Sequence, residues 1–156
     1  MTYLTLDEVK QPLQQFENFD ADTQLAILWY GYLDIKGQLN PNPGHKVEDV
    51  ANAVFDRVKL MSKDDQLQAQ RDIANRANTD VSREYGALSP SSKLDFWLLL
   101  AQGMESGDII NVPDDYQLPA KAKEFGSAVK SMDFDVRINF LRNAVTAMGL
   151  NTSSIA

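Results

Sequence analysis

Apolar residues recur at three- and four-residue intervals along most of the chain. No stretch alternates long enough to make a strand. Leu6, Val9, Leu13, Phe16 and Phe19 predict a first helix. Asp20 reads as an N-cap, and the segment from there to about Gly37 is apolar on most faces (Leu25 to Leu28, Trp29, Tyr30, Tyr32, Leu33), as a buried central helix would be. Asn40-Pro41-Asn42-Pro43-Gly44 is a loop. Val47, Val50, Ala51, Val54, Phe55, Val58 and Met61 carry the next helix. Ser62 with Asp65 opens another, predicted to run through Ala77. A short one starts at Thr79 and ends near Ala87. Ser89-Pro90 is a cap followed by proline at the first helical position, and that helix runs to Gly107. Ile109 to Tyr116 is irregular, and Pro119 opens a further helix. Asp133 precedes the last, whose apolar positions Val136, Ile138, Leu141, Val145 and Met148 lead to a stop at Gly149. The fold class is therefore all-α, with seven to nine helices. Residues 1–149 make one helical domain, and 150–156 a flexible tail.

A weak internal repeat is superimposed on this pattern. Asp20 precedes Leu25 and Trp29 much as Ser89 precedes Leu94 and Trp97. Asn75-Arg76-Ala77 is echoed by Arg142-Asn143-Ala144. It suggests two similar helical halves packed together.

Composition narrows the chemistry. The 156 residues carry a net charge of −7, which disfavours nucleic-acid backbones and anionic lipid surfaces. There is no cysteine and one histidine, so thiolate metal sites, iron–sulfur clusters, cysteine nucleophiles and multi-histidine sites are excluded. No apolar run approaches the ~18 residues of a membrane span, and the N-terminus has no secretory pattern. A serine triad would need His45, which sits beside the proline-rich loop as a solvated side chain would. Asp64-Asp65 and Asp114-Asp115 read as solvated turns. The Gly103–Gly107 stretch has no following Lys-Ser/Thr, so it is a helix end and not a phosphate loop. No catalytic set emerges, and the expectation is a protein that is not an enzyme.

The aromatic residues carry more. Trp29 and Tyr32 lie three apart, hence on one helix face, and Phe96-Trp97 lies on the second strongly apolar helix. Two readings stay open at this level: ordinary core packing, or a slot for a long, flat, apolar ligand. Arg142 stands in the amphipathic stripe of the last helix, either as a snorkelling or paired side chain or as a positive point near a ligand mouth or partner surface.

Five stretches, in order, resemble the carotenoid-binding N-terminal domain of the cyanobacterial orange carotenoid protein, and above all its stand-alone relatives, the helical carotenoid proteins. They are Gln24–Leu33, Ile73–Thr79, Ser89–Trp97, Tyr116–Leu118 and Leu141–Val145 with Met148-Gly149. The resemblance implies two interleaved four-helix bundles with a ketocarotenoid, canthaxanthin or echinenone-like, threaded between them without a covalent bond. Carried over by position, it implies that Trp29, Tyr32 and Trp97 surround a terminal ring. Leu25, Leu28, Leu94, Leu98, Met104, Val112, Pro113 and Tyr116 line the polyene, Gly44 admits close backbone approach, and Asn139 and Arg142 stand near the exposed end.

The implied function is photoprotection: quenching singlet oxygen and, through the Arg142 face, excited phycobilisomes. Carotenoid storage, or exchange with a separate C-terminal-domain homologue, is a related role. The resemblance also implies a monomer at the cytoplasmic face of thylakoid membranes. With no second domain after Gly149, the expectation is a protein that is not photoswitchable. Two departures stand out: Gln70-Arg71 replaces an apolar, sulfur-containing pair beside the polyene, and Leu98 replaces an aromatic residue next to the ring. The reading from another class is a pigment-free helical interaction module whose slot is filled by its own side chains.

Overall fold

The computed structural model describes residues 4–36, 49–113 and 116–150 and, of the side chains, those from Gln11 onward. Among these residues there are eight α-helices and no strand: α1 (Leu4–Asn18), α2 (Ala21–Ile35), α3 (Asp49–Lys59), α4 (Lys63–Ala74), α5 (Asp80–Gly86), α6 (Pro90–Ser106), α7 (Ala120–Lys130) and α8 (Phe134–Thr146).

The helix starts are fixed by local chemistry. The Asp20 carboxylate accepts from Thr23 N–H at 2.8 Å, and Ser62 Oγ accepts from Asp65 N–H at 3.2 Å. Thr79 and Ser89 do the same for Ser82 and Ser92. Each bond satisfies one of the amide donors that a helix N-terminus leaves over. Gly107 ends α6 at φ 90°, the left-handed conformation in which a Cβ is penalised.

A second device follows three of these caps. Gln24, Gln66 and Lys93 each stand four residues after the cap and are all buried. Gln24 Nε2 reaches back to the Phe19 carbonyl at 2.9 Å. Gln66 Nε2 reaches back in the same way to Lys59 and Met61, at 3.3 and 3.4 Å. At these two corners, α1–α2 and α3–α4, leftover carbonyls at the end of one helix are thus satisfied from the first turn of the next, whereas Lys93 reaches carbonyls at and beyond the end of α8.

The chain forms two compact units. The first consists of the described residues of Met1–Asn40 and Pro113–Ala144 and holds α1, α2, α7 and most of α8. Its core is a cluster of Phe16, Phe19, Phe125 and Phe140, with ring centroids 5.5 to 6.5 Å apart. The second consists of the described residues of Pro41–Val112 and Val145–Ala156 and holds α3 to α6 with the end of α8. Its core includes Val54, Val58, Ile73, Tyr85, Phe96 and Leu100.

The units interleave along the chain, as the resemblance implied: the first takes both ends of the helical order and the second takes the middle. Two expectations change. The echo between Asn75–Ala77 and Arg142–Ala144 is not structural, because the former is a helix end and the latter lies inside α8. Helix α4 stops at Ala74, short of Ala77, because Arg76 turns to φ 54° and Ala77 N–H bonds back to the Asp72 carbonyl.

Helix α8 stops at Thr146, and side chains of the second unit take up the carbonyls of its last residues and of Ala147 just after it. Tyr85 Oη donates to Val145 O, Lys93 Nζ to Thr146 O at 2.8 Å, and Arg76 Nε to Ala147 O. Gly149, at φ 81°, donates to Ile73 O at 2.8 Å, and a Cβ there would meet the Gly86 backbone at 2.9 Å. Leu150, placed in the tail by sequence, donates to Ser82 Oγ at 3.1 Å. Residues 151–156 and Gly44 lie outside the described residues.

Candidate functional site

The first unit supplies one apolar stripe. Leu25, Leu28, Trp29 and Tyr32 fall at i, i+3, i+4 and i+7 on α2. Leu25 is buried in the unit, while Leu28, Trp29 and Tyr32 stay half-buried. The Trp29 and Tyr32 rings stack with centroids 5.9 Å apart and planes 27° from parallel. Pro113 is exposed and Tyr116 half-buried in the connection before α7. On α8, Asn139 is half-buried and its carbonyl accepts from Asn143 Nδ2 at 2.7 Å, whereas Arg142 is exposed.

The second unit supplies another stripe. Leu94, Trp97, Leu98 and Met104 lie on α6. Trp97 is buried, and the other three are half-buried. The Trp97 indole N–H donates to Tyr85 Oη at 2.9 Å, and that hydroxyl donates in turn to the Val145 carbonyl. Phe96 and Tyr85 meet the Trp97 ring edge-on, at 5.8 and 6.4 Å. Burial holds the Tyr85 phenol well above its usual pKa, against the weaker pull of the Trp97 bond, so it stays a neutral donor and acceptor. The ring therefore has one orientation.

Val112 is half-buried at the end of an irregular stretch held by Gln66. Gln66 Oε1 accepts from Ile110 N–H at 2.8 Å, and its Nε2 donates to Asp108 O at 3.1 Å.

Sequence reasoning missed Tyr85, Lys93 and Gln66 as positioning residues. A signal was present for Gln66: with Ala69, Gln70 and Ile73 it makes a buried stripe at three- and four-residue spacing. Lys93 is buried, bonded to carbonyls of Thr146 and Met148, and lies over the Tyr85 ring at 5.4 Å. Its pKa is lowered by burial and then by the nearby Arg76 charge. Gln70, one of the two departures, is 2% exposed, and its Nε2 is buried with no hydrogen-bond partner.

The arrangement fits a long apolar ligand. Each unit presents half-buried Leu, Met or aromatic side chains along a helix stripe, and the Trp97 indole N–H is already satisfied by Tyr85. Among the described residues no three His, Asp or Glu come together as metal ligands, and no helix is long and apolar enough to cross a membrane.

Fold and stripes together define an all-α domain of two four-helix units, each with a partly buried apolar stripe. The chain belongs to the orange carotenoid protein N-terminal domain family, whose sequence pattern it matches over residues 2–151. It is 36% identical over 148 residues to an orange carotenoid-binding domain-containing protein of Nostoc sp. PCC 7120, covering 94% of this chain and 86% of that one. It is 35% identical to the orange carotenoid-binding protein of Synechocystis sp. PCC 6803, covering 94% of this chain and 46% of that one, so it spans about half of that relative.

Two solved structures are similar. The red carotenoid protein of Anabaena (Nostoc) sp. PCC 7120 binding canthaxanthin superposes with TM-score 0.78 and 34% identity, over 91% of this chain and 98% of that one. The orange carotenoid protein of the same organism binding canthaxanthin superposes with TM-score 0.89 and 31% identity, over 96% of this chain and 48% of that one.

Proposed function

We propose that this protein binds a ketocarotenoid such as canthaxanthin without a covalent bond, serves photoprotection and is not an enzyme. The carotenoid-binding unit is assigned to residues 1–149. The observation that carries the reading is the stacked, half-buried Trp29–Tyr32 pair, on a chain whose relatives are carotenoid-binding proteins.

In this reading Trp29, Tyr32 and Trp97 grip a terminal ring, and Trp97 can do so rigidly because Tyr85 holds its N–H. Leu25, Leu28, Leu94, Leu98, Met104, Val112, Pro113 and Tyr116 contact the polyene. Gln66 keeps Val112 in place through Ile110. Burying several hundred Å² of pigment at ~25 cal/mol per Å² contributes on the order of 10 kcal/mol before the cost of association. That is enough for retention without a covalent bond or a metal.

A bound polyene supplies low-lying excited states that take up energy from singlet oxygen or from an excited antenna and release it as heat. The chain's own residues hold the pigment, exclude water from it and fix its conformation.

Arg142, exposed on α8, is assigned to docking on the phycobilisome. Purified pigment-loaded protein added to isolated phycobilisomes should lower their fluorescence, and Arg142→Leu should abolish that effect while leaving the absorption spectrum and singlet-oxygen quenching intact. Unchanged phycobilisome fluorescence with wild-type holoprotein would remove the antenna role and leave singlet-oxygen quenching.

A further inference from the structure

Every residue from Val145 to Leu150 is hydrogen-bonded to α4, the turn after it, α5 or α6, all within the second unit. Tyr85 on α5 donates to Val145 O. Lys93 on α6 donates to Thr146 O at 2.8 Å and reaches Met148 O at 3.5 Å. Arg76, just after α4, donates to Ala147 O. In the other direction, Gly149 N–H donates to Ile73 O at 2.8 Å. Leu150 N–H donates to Ser82, at 3.2 Å to its carbonyl and 3.1 Å to its hydroxyl. Val145 and Met148 are buried between these contacts.

Two glycines set the fit. Gly86, the last residue of α5, does not have positive φ, so its own backbone does not require glycine. A Cβ there would run into the Leu150 backbone, whose carbonyl carbon would lie 2.6 Å away. Close approach of Leu150 is therefore what excludes a side chain at Gly86. A Cβ at Gly149 would meet the Tyr85 ring at 2.5 Å. The segment thus rests on Tyr85 itself, and the Lys93 ammonium that holds Thr146 covers the same ring at 5.4 Å. A phenol has one proton. Given to Val145 O, it leaves the Tyr85 oxygen facing the Trp97 indole N–H, which donates to it at 2.9 Å. Lifting the segment takes away the fixed acceptor, and the hydroxyl turns out of the geometry that receives the indole.

We propose that residues 145–150 are part of what orients Trp97: seated on α5 and α6 they fix its ring through Tyr85, with Gly86, Lys93 and Gly149 as positioning residues. The relay stands on this geometry alone, and its consequence for colour rests on the pigment reading above. The test compares wild type and Gly86→Ala as full chains, pigment-free and carotenoid-loaded. In the pigment-free chain the Leu150 amide reports seating, and the indole N–H resonance of Trp97 reports the relay. Gly86→Ala should speed Leu150 amide exchange and shift the indole resonance, with indole exchange about tenfold faster, as loss of one hydrogen bond allows. Tyr85→Phe sets the upper limit of the indole effect. Ser62→Ala removes the α4 cap and lowers stability, but should leave the indole resonance where it is. In the loaded protein, Gly86→Ala should shift the visible band.

Should Gly86→Ala fail to fold, Lys93→Met serves instead: it releases Thr146 and Met148, leaves Tyr85 and Trp97 in place, and should move the same indole resonance. Three results would overturn the relay: Leu150 exchange unchanged in both variants, a freed Leu150 with an unmoved Trp97 indole, or an equal indole shift in Ser62→Ala. A coloured Gly86→Ala protein with an unshifted band would overturn the control of colour. A colourless wild type whose Trp97 indole responds as expected would overturn the pigment reading and leave the relay standing.

Discussion

At the scale of single residues, Tyr85 links ring orientation to stability. Its hydroxyl accepts from Trp97 and donates to Val145 O inside the second unit. Tyr85→Phe leaves the Trp97 indole N–H buried without a partner, while the Val145 carbonyl keeps only Met148 N–H, which should cost about 1–3 kcal/mol in urea unfolding. Because burial raises the Tyr85 pKa, the folded state keeps this proton after the unfolded chain has released it. The residue's stabilisation is therefore complete below the ordinary tyrosine value of ~10 and falls as pH rises beyond it. A spectrophotometric titration should show one tyrosine that ionises only as the protein unfolds.

Gln70 has the opposite sign. Its amide nitrogen is buried and unpartnered, so Gln70→Met, similar in volume, should stabilise the chain by about 1 kcal/mol. A loss of stability on that change would mean that the amide is satisfied in solution.

At the scale of elements, the caps act locally and were legible in the sequence for that reason. Asp20, Ser62, Thr79 and Ser89 each accept from a backbone N–H three residues on, a relation that any reader of spacing can see. Asp20→Ala should cost about 1 kcal/mol. Hydrogen bonds from the Thr23 side chain and then its backbone N–H lower the Asp20 pKa. The stabilisation is thus present above the unfolded carboxyl value of ~4 and is lost as pH falls through the lower folded value. Stability of wild type and Asp20→Ala should converge in acid.

What spacing could not reveal are bonds between distant residues. Gln66 reaches Asp108 and Ile110 across 42 and 44 positions, and Tyr85 reaches Val145 across 60. The buried residue four positions after the cap is the one part of this network that leaves a local trace. Gln66→Leu keeps the helix face apolar but frees the 108–112 stretch. Amide exchange at Ile110 should then accelerate well beyond any global loss of stability.

At the scale of the whole molecule, the all-α class, the eight helices and the apolar stripes of α2 and α6 follow from periodicity. The division into units does not: the chain leaves its first unit after α2 and returns with α7, an interleaving that came from the family resemblance and not from spacing. Local patterns carry no information about which distant helices share a core. The family supplies the direction of function, and the half-buried rings give it a physical basis. If those rings grip a pigment, Trp29→Ala should lower pigment yield or shift the visible band, since it removes one face of the stacked pair. An unchanged yield and spectrum would displace Trp29 from the contact.

The central claim is that these faces bind a ketocarotenoid. The most direct measurement is the visible absorption spectrum of the full chain purified from cells that make canthaxanthin. The account predicts a co-purifying carotenoid with a structured, red-shifted band. A folded, helical and colourless protein would contradict it and would leave the stripes as surfaces for another protein.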